Sequence, residues 1–76
     1  MERRILDGNL DSWEPYATTG MFGYSEPARI VFRCLSDATE RARALYMGDK
    51  AEAERVVRGS SDEELRELLA KAEPVD

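Results

Sequence analysis

The sequence contains no histidine and a single cysteine, Cys34, among its 76 residues. Without histidine, the chain lacks the most common general base of enzymes and a principal ligand of structural zinc. One cysteine cannot form an internal disulfide, which suits a reducing compartment. We therefore predict that the chain is not an enzyme and has no catalytic residues, no metal site and no cofactor.

Long apolar runs are also missing. No stretch approaches the roughly 20 apolar residues of a membrane helix. The basic residues Arg3 and Arg4 are not followed by the apolar run of a secretory signal. The sequence thus predicts a cytoplasmic protein that does not bind membranes.

Acidic residues outnumber basic ones by 16 to 11, which gives a net charge of −5. This balance disfavours nucleic acid and anionic lipid as partners, because both repel an acidic protein. The charge is unevenly distributed: residues 25–48 have three acidic residues and four arginines, whereas residues 49–76 have nine acidic and five basic residues. The middle of the chain is therefore its one basic segment.

Residues 25–73 are rich in alanine, leucine, glutamate and arginine, which favour helices. Ser25 can cap a helix whose first turn contains Pro27, and a 3.6-residue period then predicts a long helix over residues 26–47. Ile30 is the main apolar residue outside its apolar face, and Cys34 lies on that face, as expected of a buried thiol. The face comprises Ala28, Val31, Phe32, Cys34, Leu35, Ala38, Ala42, Leu45 and Tyr46.

A strand is the competing interpretation of this segment. Residues 29–34 read Arg-Ile-Val-Phe-Arg-Cys, which alternates well enough to be a strand. Asp37 and Glu40 would then form a capping box at the start of a shorter helix. We favour the long helix because its period persists for about five turns, whereas the strand accounts for only the six residues.

Two shorter helices follow, over residues 49–58 and 61–72. Gly48 interrupts the preceding pattern, Asp49 can cap the second helix, and Gly59 is suited to follow its end. Ser61 and Glu64 have the spacing of a capping box for the third helix. The chain is therefore predicted to be a single domain of the mainly α class, an all-α bundle of three helices with residues 25–73 helical.

Residues 1–24 lack helical periodicity and form, by prediction, an irregular segment that packs along the long helix. The turn signal Asp7-Gly8 lies between short apolar pieces, which leaves a small β-hairpin open. Four of the six aromatic residues of the chain fall in this segment. They are Trp13, Tyr16, Phe22 and Tyr24.

These four aromatic residues are the predicted partner-binding anchors, because tryptophan and tyrosine dominate binding hot spots. Arg29 and Arg33 are predicted to supply charges at the rim of the same surface. The alternative is that the aromatic rings close over the small core, where large side chains provide most of the burial.

The predicted function is that of a non-enzymatic protein-interaction module, acting as a small regulator, inhibitor or accessory subunit on another protein. Two alternatives remain: a nucleic-acid-associated regulator that aligns basic helices in an oligomer, and a small helical subunit of a multi-chain enzyme. A homodimer is compatible with each of them.

Overall fold

A computed structural model of the protein describes residues 3–18, 28–37 and 39–75. Strands and helices contribute about equally to this part of the chain, so the prediction of a mainly α, three-helix bundle is wrong. The elements are β1 Ile5–Leu6, β2 Ser12–Thr18, β3 Arg29–Cys34, β4 Arg43–Tyr46, α1 Lys50–Gly59, α2 Asp62–Lys71 and β5 Glu73–Pro74.

The strands form one antiparallel sheet in the order β1-β2-β3-β4-β5, and the two helices connect β4 to β5. Helix α1 packs on β2 and β3, and α2 contacts β1 and β4. The result is a two-layer α+β arrangement. We call the side of the sheet that faces the helices the inner face and the opposite side the outer face.

The inner face and the helices enclose the hydrophobic core. Phe32, Ile5, Ile30 and Leu65 are its largest fully buried side chains. Alternation along the strands places Phe32, Ile5 and Ile30 on one side of the sheet, and Leu65 of α2 belongs to the same cluster. The core cluster comprises Ile5, Trp13, Ala28, Ile30, Phe32, Cys34, Ala53, Leu65, Leu69 and Ala72.

The predicted helix over residues 26–47 is replaced by β3 and β4. Residues 29–34 form the strand of the competing interpretation, so this part of it is confirmed. Ile30, the outlier of the helical pattern, has no exposed surface in the sheet, so the strand buries the residue that the helix would leave exposed. Asp37 closes a turn in which the Glu40 N–H donates to its carbonyl at 3.1 Å, and no helix starts there among the described residues.

The last two predicted helices are confirmed, within a residue or two, as α1 and α2. Asp49 caps α1 by accepting the Glu52 N–H at 2.8 Å. Ser61 and Glu64 form the predicted capping box, and the Ser61 N–H holds the pKa of the Glu64 carboxyl below its ordinary value. Gly59 ends α1 rather than following it, so the residue at the cap is Ser60.

The hairpin that the turn signal Asp7-Gly8 allows is present as β1 and β2, but β2 extends well into the segment predicted to be irregular. Pro15 lies within β2, where a proline is tolerated only if its nitrogen points away from a neighbouring strand. Beyond Trp13, β1 no longer pairs with β2, so within the described part of the chain no strand lies beside Pro15 and Ala17 on the side of β2 that faces away from β3. Pro15 is compatible with the strand for this reason.

Leu10, in the turn between β1 and β2, has a left-handed backbone with φ of 66° and a side chain that is 76% exposed. This conformation costs leucine about 1 kcal/mol, and asparagine less. We expect Leu10→Asn to raise the free energy of unfolding by about 0.5–1 kcal/mol, measured by urea denaturation. Leu6→Asn, in an ordinary strand conformation, is the control and should give no gain; equal effects of the two substitutions would contradict this explanation.

No helix in the described residues is long and apolar enough to cross a membrane.

Candidate functional site

The outer face is the part of the sheet that neither helix covers. The strand registers place Glu14 opposite Arg33, Tyr16 opposite Val31, and Thr18 opposite Arg29. On the next strand, Ala44 lies opposite Val31 and Tyr46 opposite Arg29. These eight residues define the central outer face.

Tyr16 and Tyr46 are the most exposed aromatic side chains of this surface, at 42% and 69%. They lie on opposite sides of β3 and are offset by two residues along the strands. From strand spacing and rise, their Cα atoms are about 12 Å apart. The two phenol groups therefore flank β3 and present both apolar ring surface and a hydroxyl to solvent.

Val31 and Ala44 form the floor between the tyrosines. Although they point away from the helices, they are only 6% and 9% exposed. The outer face thus has an apolar centre and is not a uniformly polar, solvated surface. The accessible surface of this face therefore comes mainly from the tyrosine and polar side chains around Val31 and Ala44.

Two arginines border this centre. Arg33 donates to Glu14 Oε1 at 2.9 Å; the arginine side chain is 61% exposed and the glutamate side chain 14% exposed. Arg29 lies between Thr18 and Tyr46 in the register and is partly exposed. Within residues 3–18, 28–37 and 39–75, Arg29 makes no ion pair, so its charge is available to a ligand.

The structure brings together three of the six sequence-predicted site residues, Tyr16, Arg29 and Arg33. Phe22 and Tyr24 lie outside the described residues. Trp13 is placed in the core, with 2% of its surface exposed, as in the alternative that we considered for these rings.

Sequence reasoning missed Tyr46 and the floor residues Val31 and Ala44. Tyr46 was assigned to the buried face of a helix, whereas in β4 it points to the outer face. The available signal was the alternation along β3. If residues 29–34 form a strand that pairs with β4, every second side chain of β4 points to the outer face.

The indole ring of Trp13 belongs to a polar network at the edge of the core. Its Nε1–H donates to Asp7 Oδ2 at 2.9 Å, and Arg43 lies over the ring at 5.5 Å from the centroid. The other Asp7 oxygen accepts the N–H groups of Asn9 and Asp11. Asp7 therefore joins the hairpin turn to the core.

These contacts lower the pKa of Asp7 below its ordinary value of 3.8, with the indole hydrogen bond as the largest cause. Partial burial opposes this shift, and the two turn amides and the Arg43 charge reinforce it. The ionised carboxylate is thus the form that the folded protein prefers.

A pH dependence of stability follows from this shift. Because the folded pKa is depressed, Asp7 contributes stability above its unfolded pKa, and this contribution is lost as the pH falls through the folded pKa. We expect the free energy of unfolding to decline as the pH falls below about 5, and to decline less steeply in Asp7→Asn. Urea denaturation at a series of pH values measures both slopes, and equal slopes would contradict the role of Asp7.

The described residues contain no group of cysteine, aspartate and glutamate side chains that could hold a metal ion. Cys34 is buried, as predicted, and its Sγ lies 3.8 Å from Ser36 Oγ. The chemistry that the outer face supports best is non-covalent recognition by aromatic, apolar and guanidinium groups.

Comparisons of this chain with protein-family models, with curated proteins and with solved structures find no match.

Proposed function

We propose that this protein is a non-enzymatic protein-interaction module, a small regulator, inhibitor or accessory subunit, that binds its partner through the outer face. The observation that carries the proposal is the exposure of Tyr16 and Tyr46 on either side of an apolar floor. A single exposed aromatic residue is ordinary, but two exposed tyrosine side chains on one sheet face, with the nearly buried Val31 and Ala44 between them in the register, are of the type that provides binding energy at protein interfaces.

The residue types fit the energetics of protein interfaces. Tyrosine and arginine are enriched among the residues that provide most of the binding energy. A strand-paired surface is also rigid, so binding orders few side chains and loses little conformational entropy. Arg29 and Arg33 would add directional hydrogen bonds at the border of the contact.

A cytoplasmic location is part of the proposal. It rests on the single cysteine, Cys34, which cannot form an internal disulfide.

The proposal is tested by a pull-down of the tagged protein from nuclease-treated lysate of its source organism, with mass spectrometry of the retained proteins. We expect a stoichiometric protein partner whose recovery falls at least about 10-fold with Tyr46→Ala, because an anchor residue contributes about 2 kcal/mol or more. Leu10→Ala removes a comparably exposed apolar side chain in the β1–β2 turn and should retain the partner.

Two results would contradict the proposal. Equal retention by wild type and Tyr46→Ala would place binding elsewhere on the molecule. Recovery of no other protein would contradict the proposed function as an interaction module. Sedimentation would then measure whether the protein associates with itself.

Single-stranded nucleic acid is the second candidate, because tyrosine and arginine side chains on a sheet can stack on bases. The net charge of −5 weighs against it, since phosphate binding requires positive charge. Salt-sensitive binding of a single-stranded oligonucleotide by wild type but not by Arg29→Ala would favour this candidate over a protein partner.

A further inference from the structure

A second surface lies along the edge of β2 and shares only Glu14 and Tyr16 with the central outer face. A groove of about 500 Å³ separates this edge from α1. Pro15 and Ala17 on one side and Val57 on the other are its apolar lining residues. The remaining lining residues are Tyr16 and four charged residues, Arg3, Glu14, Glu54 and Arg58. This volume is within the range of ligand-binding clefts.

Hydrogen bonds at the start of β2 fix the direction of its backbone groups. The Ser12 carbonyl accepts the Leu35 N–H at 2.8 Å, and the Ser12 N–H donates to Ser36 Oγ at 3.0 Å. Ser12 therefore directs both groups to the β3 side. Because this direction alternates along an antiparallel strand, Pro15 and Ala17 direct their backbone groups into the groove.

The edge thus presents the carbonyls of Pro15 and Ala17 and the N–H of Ala17. Within the described residues, β1 pairs with β2 only at Ser12 and Trp13, so no strand occupies this part of the edge. Unpaired groups of this kind are templates for an added strand. The missing N–H of Pro15 limits such an addition to a short segment.

The lining and charges of the groove restrict the segment further. A side chain that points from the added strand toward the inner face would meet Pro15, Ala17 and Val57, which leave room for a medium-sized apolar group. Arg3 is already engaged, with its guanidinium donating to the Val57 and Ser60 carbonyls and to Asp62. The two carboxylates of the lining are also paired, Glu14 with Arg33 and Glu54 with Lys50, whereas Arg58 has no ion pair among the described residues.

We propose that this groove binds an extended peptide segment of a partner, which adds as a short strand to the β2 edge. The segment places an apolar side chain between Ala17 and Val57 and an acidic side chain near Arg58. This site does not rest on the function proposed for the outer face, because its hydrogen bonds come from the strand edge; Ala17→Pro and Tyr46→Ala therefore test the two proposals separately.

The test is selection of phage-displayed random 12-residue peptides on the full chain, followed by affinity measurement of the enriched peptide. Ala17→Pro removes the N–H of the edge at a position where a proline is tolerated, as at Pro15. We expect a loss of at least about 10-fold in affinity, the effect of one hydrogen bond of about 1.4 kcal/mol. Arg58→Gln should also weaken binding, whereas Arg66→Gln, on the exposed side of α2, should not.

If Ala17→Pro fails to fold, the affinity of N-methylated peptides for the wild-type protein still tests the proposal. N-methylation of successive amides of the peptide should abolish binding at alternate positions only, because an added strand directs every second N–H to the edge. No enrichment of any peptide, or tolerance of N-methylation at every position, would overturn the inference. Peptides that bind Ala17→Pro but not Tyr46→Ala would overturn it while supporting the outer face.

Discussion

Replacing Trp13 with alanine should remove a large share of the free energy of unfolding at 25 °C. Removal of a buried tryptophan costs about 3–5 kcal/mol, and a domain of 76 residues has a total stability of about 4–11 kcal/mol. The substitution also removes the hydrogen bond to Asp7 and the contact with Arg43. Circular dichroism during urea denaturation measures the loss.

Trp13→Phe is the matched control, because it keeps an aromatic ring in the core and removes only the indole N–H and part of the volume. We expect it to be folded and intermediate in stability. A Trp13→Ala variant as stable as wild type would show that this ring lies outside the core. Trp13 would then again be a candidate binding anchor.

Ile30→Ala should lower the free energy of unfolding by about 2–4 kcal/mol, since it opens a cavity in the centre of the inner face. Ile30 has no exposed surface, and it pairs with Ala17 on β2 and Leu45 on β4. The helical interpretation makes the opposite prediction, because a residue outside the apolar face would be exposed and its truncation nearly neutral. Urea denaturation of this variant therefore discriminates between the two folds.

Leu6→Ala is the comparison for this experiment, because Leu6 is 48% exposed at the border of the sheet. We expect its effect to stay within about 0.5–1 kcal/mol. Equal, small effects of the two substitutions would contradict the assignment of residues 29–34 to a central strand.

The helices α1 and α2 could be predicted because their signals are local. Asp49 and Ser61 satisfy backbone N–H groups within three residues of their own position. Such contacts form in the same way whatever the rest of the chain does, and they fix where a helix begins. Both helices could therefore be predicted without knowing which core residues they contact.

Residues 28–46 show why the sheet could not be predicted in the same way. Their apolar residues fit a helical period, but the choice of strand depends on pairing with residues 12–18, which are distant in sequence. Ile30 is the residue that distinguishes the helix from the strand, because only the strand buries its side chain. Pro15 made β2 difficult to predict from the sequence, because a proline within a strand is compatible only with an edge, the first residue of the strand or a bulge.

Half of the predicted binding residues lie on the outer face for a physical reason. Arg29 and Arg33 are four apart in sequence, so they share a face both in a helix and in a strand. Tyr16 joins them through the register between β2 and β3. Trp13 is three residues from Tyr16, and an odd separation in a strand places the two rings on opposite faces.

The central claim is that the outer face binds the partner, and methyl NMR of the valine-labelled protein tests it most directly. Val31 lies on the outer face and Val56 in α1, so the two residues report on opposite layers of the fold. On titration with the captured partner, we predict that the Val31 methyl signals shift or broaden while those of Val56 stay unchanged. Changes at Val56 with none at Val31 would contradict the claim, because the partner would then bind the helical layer.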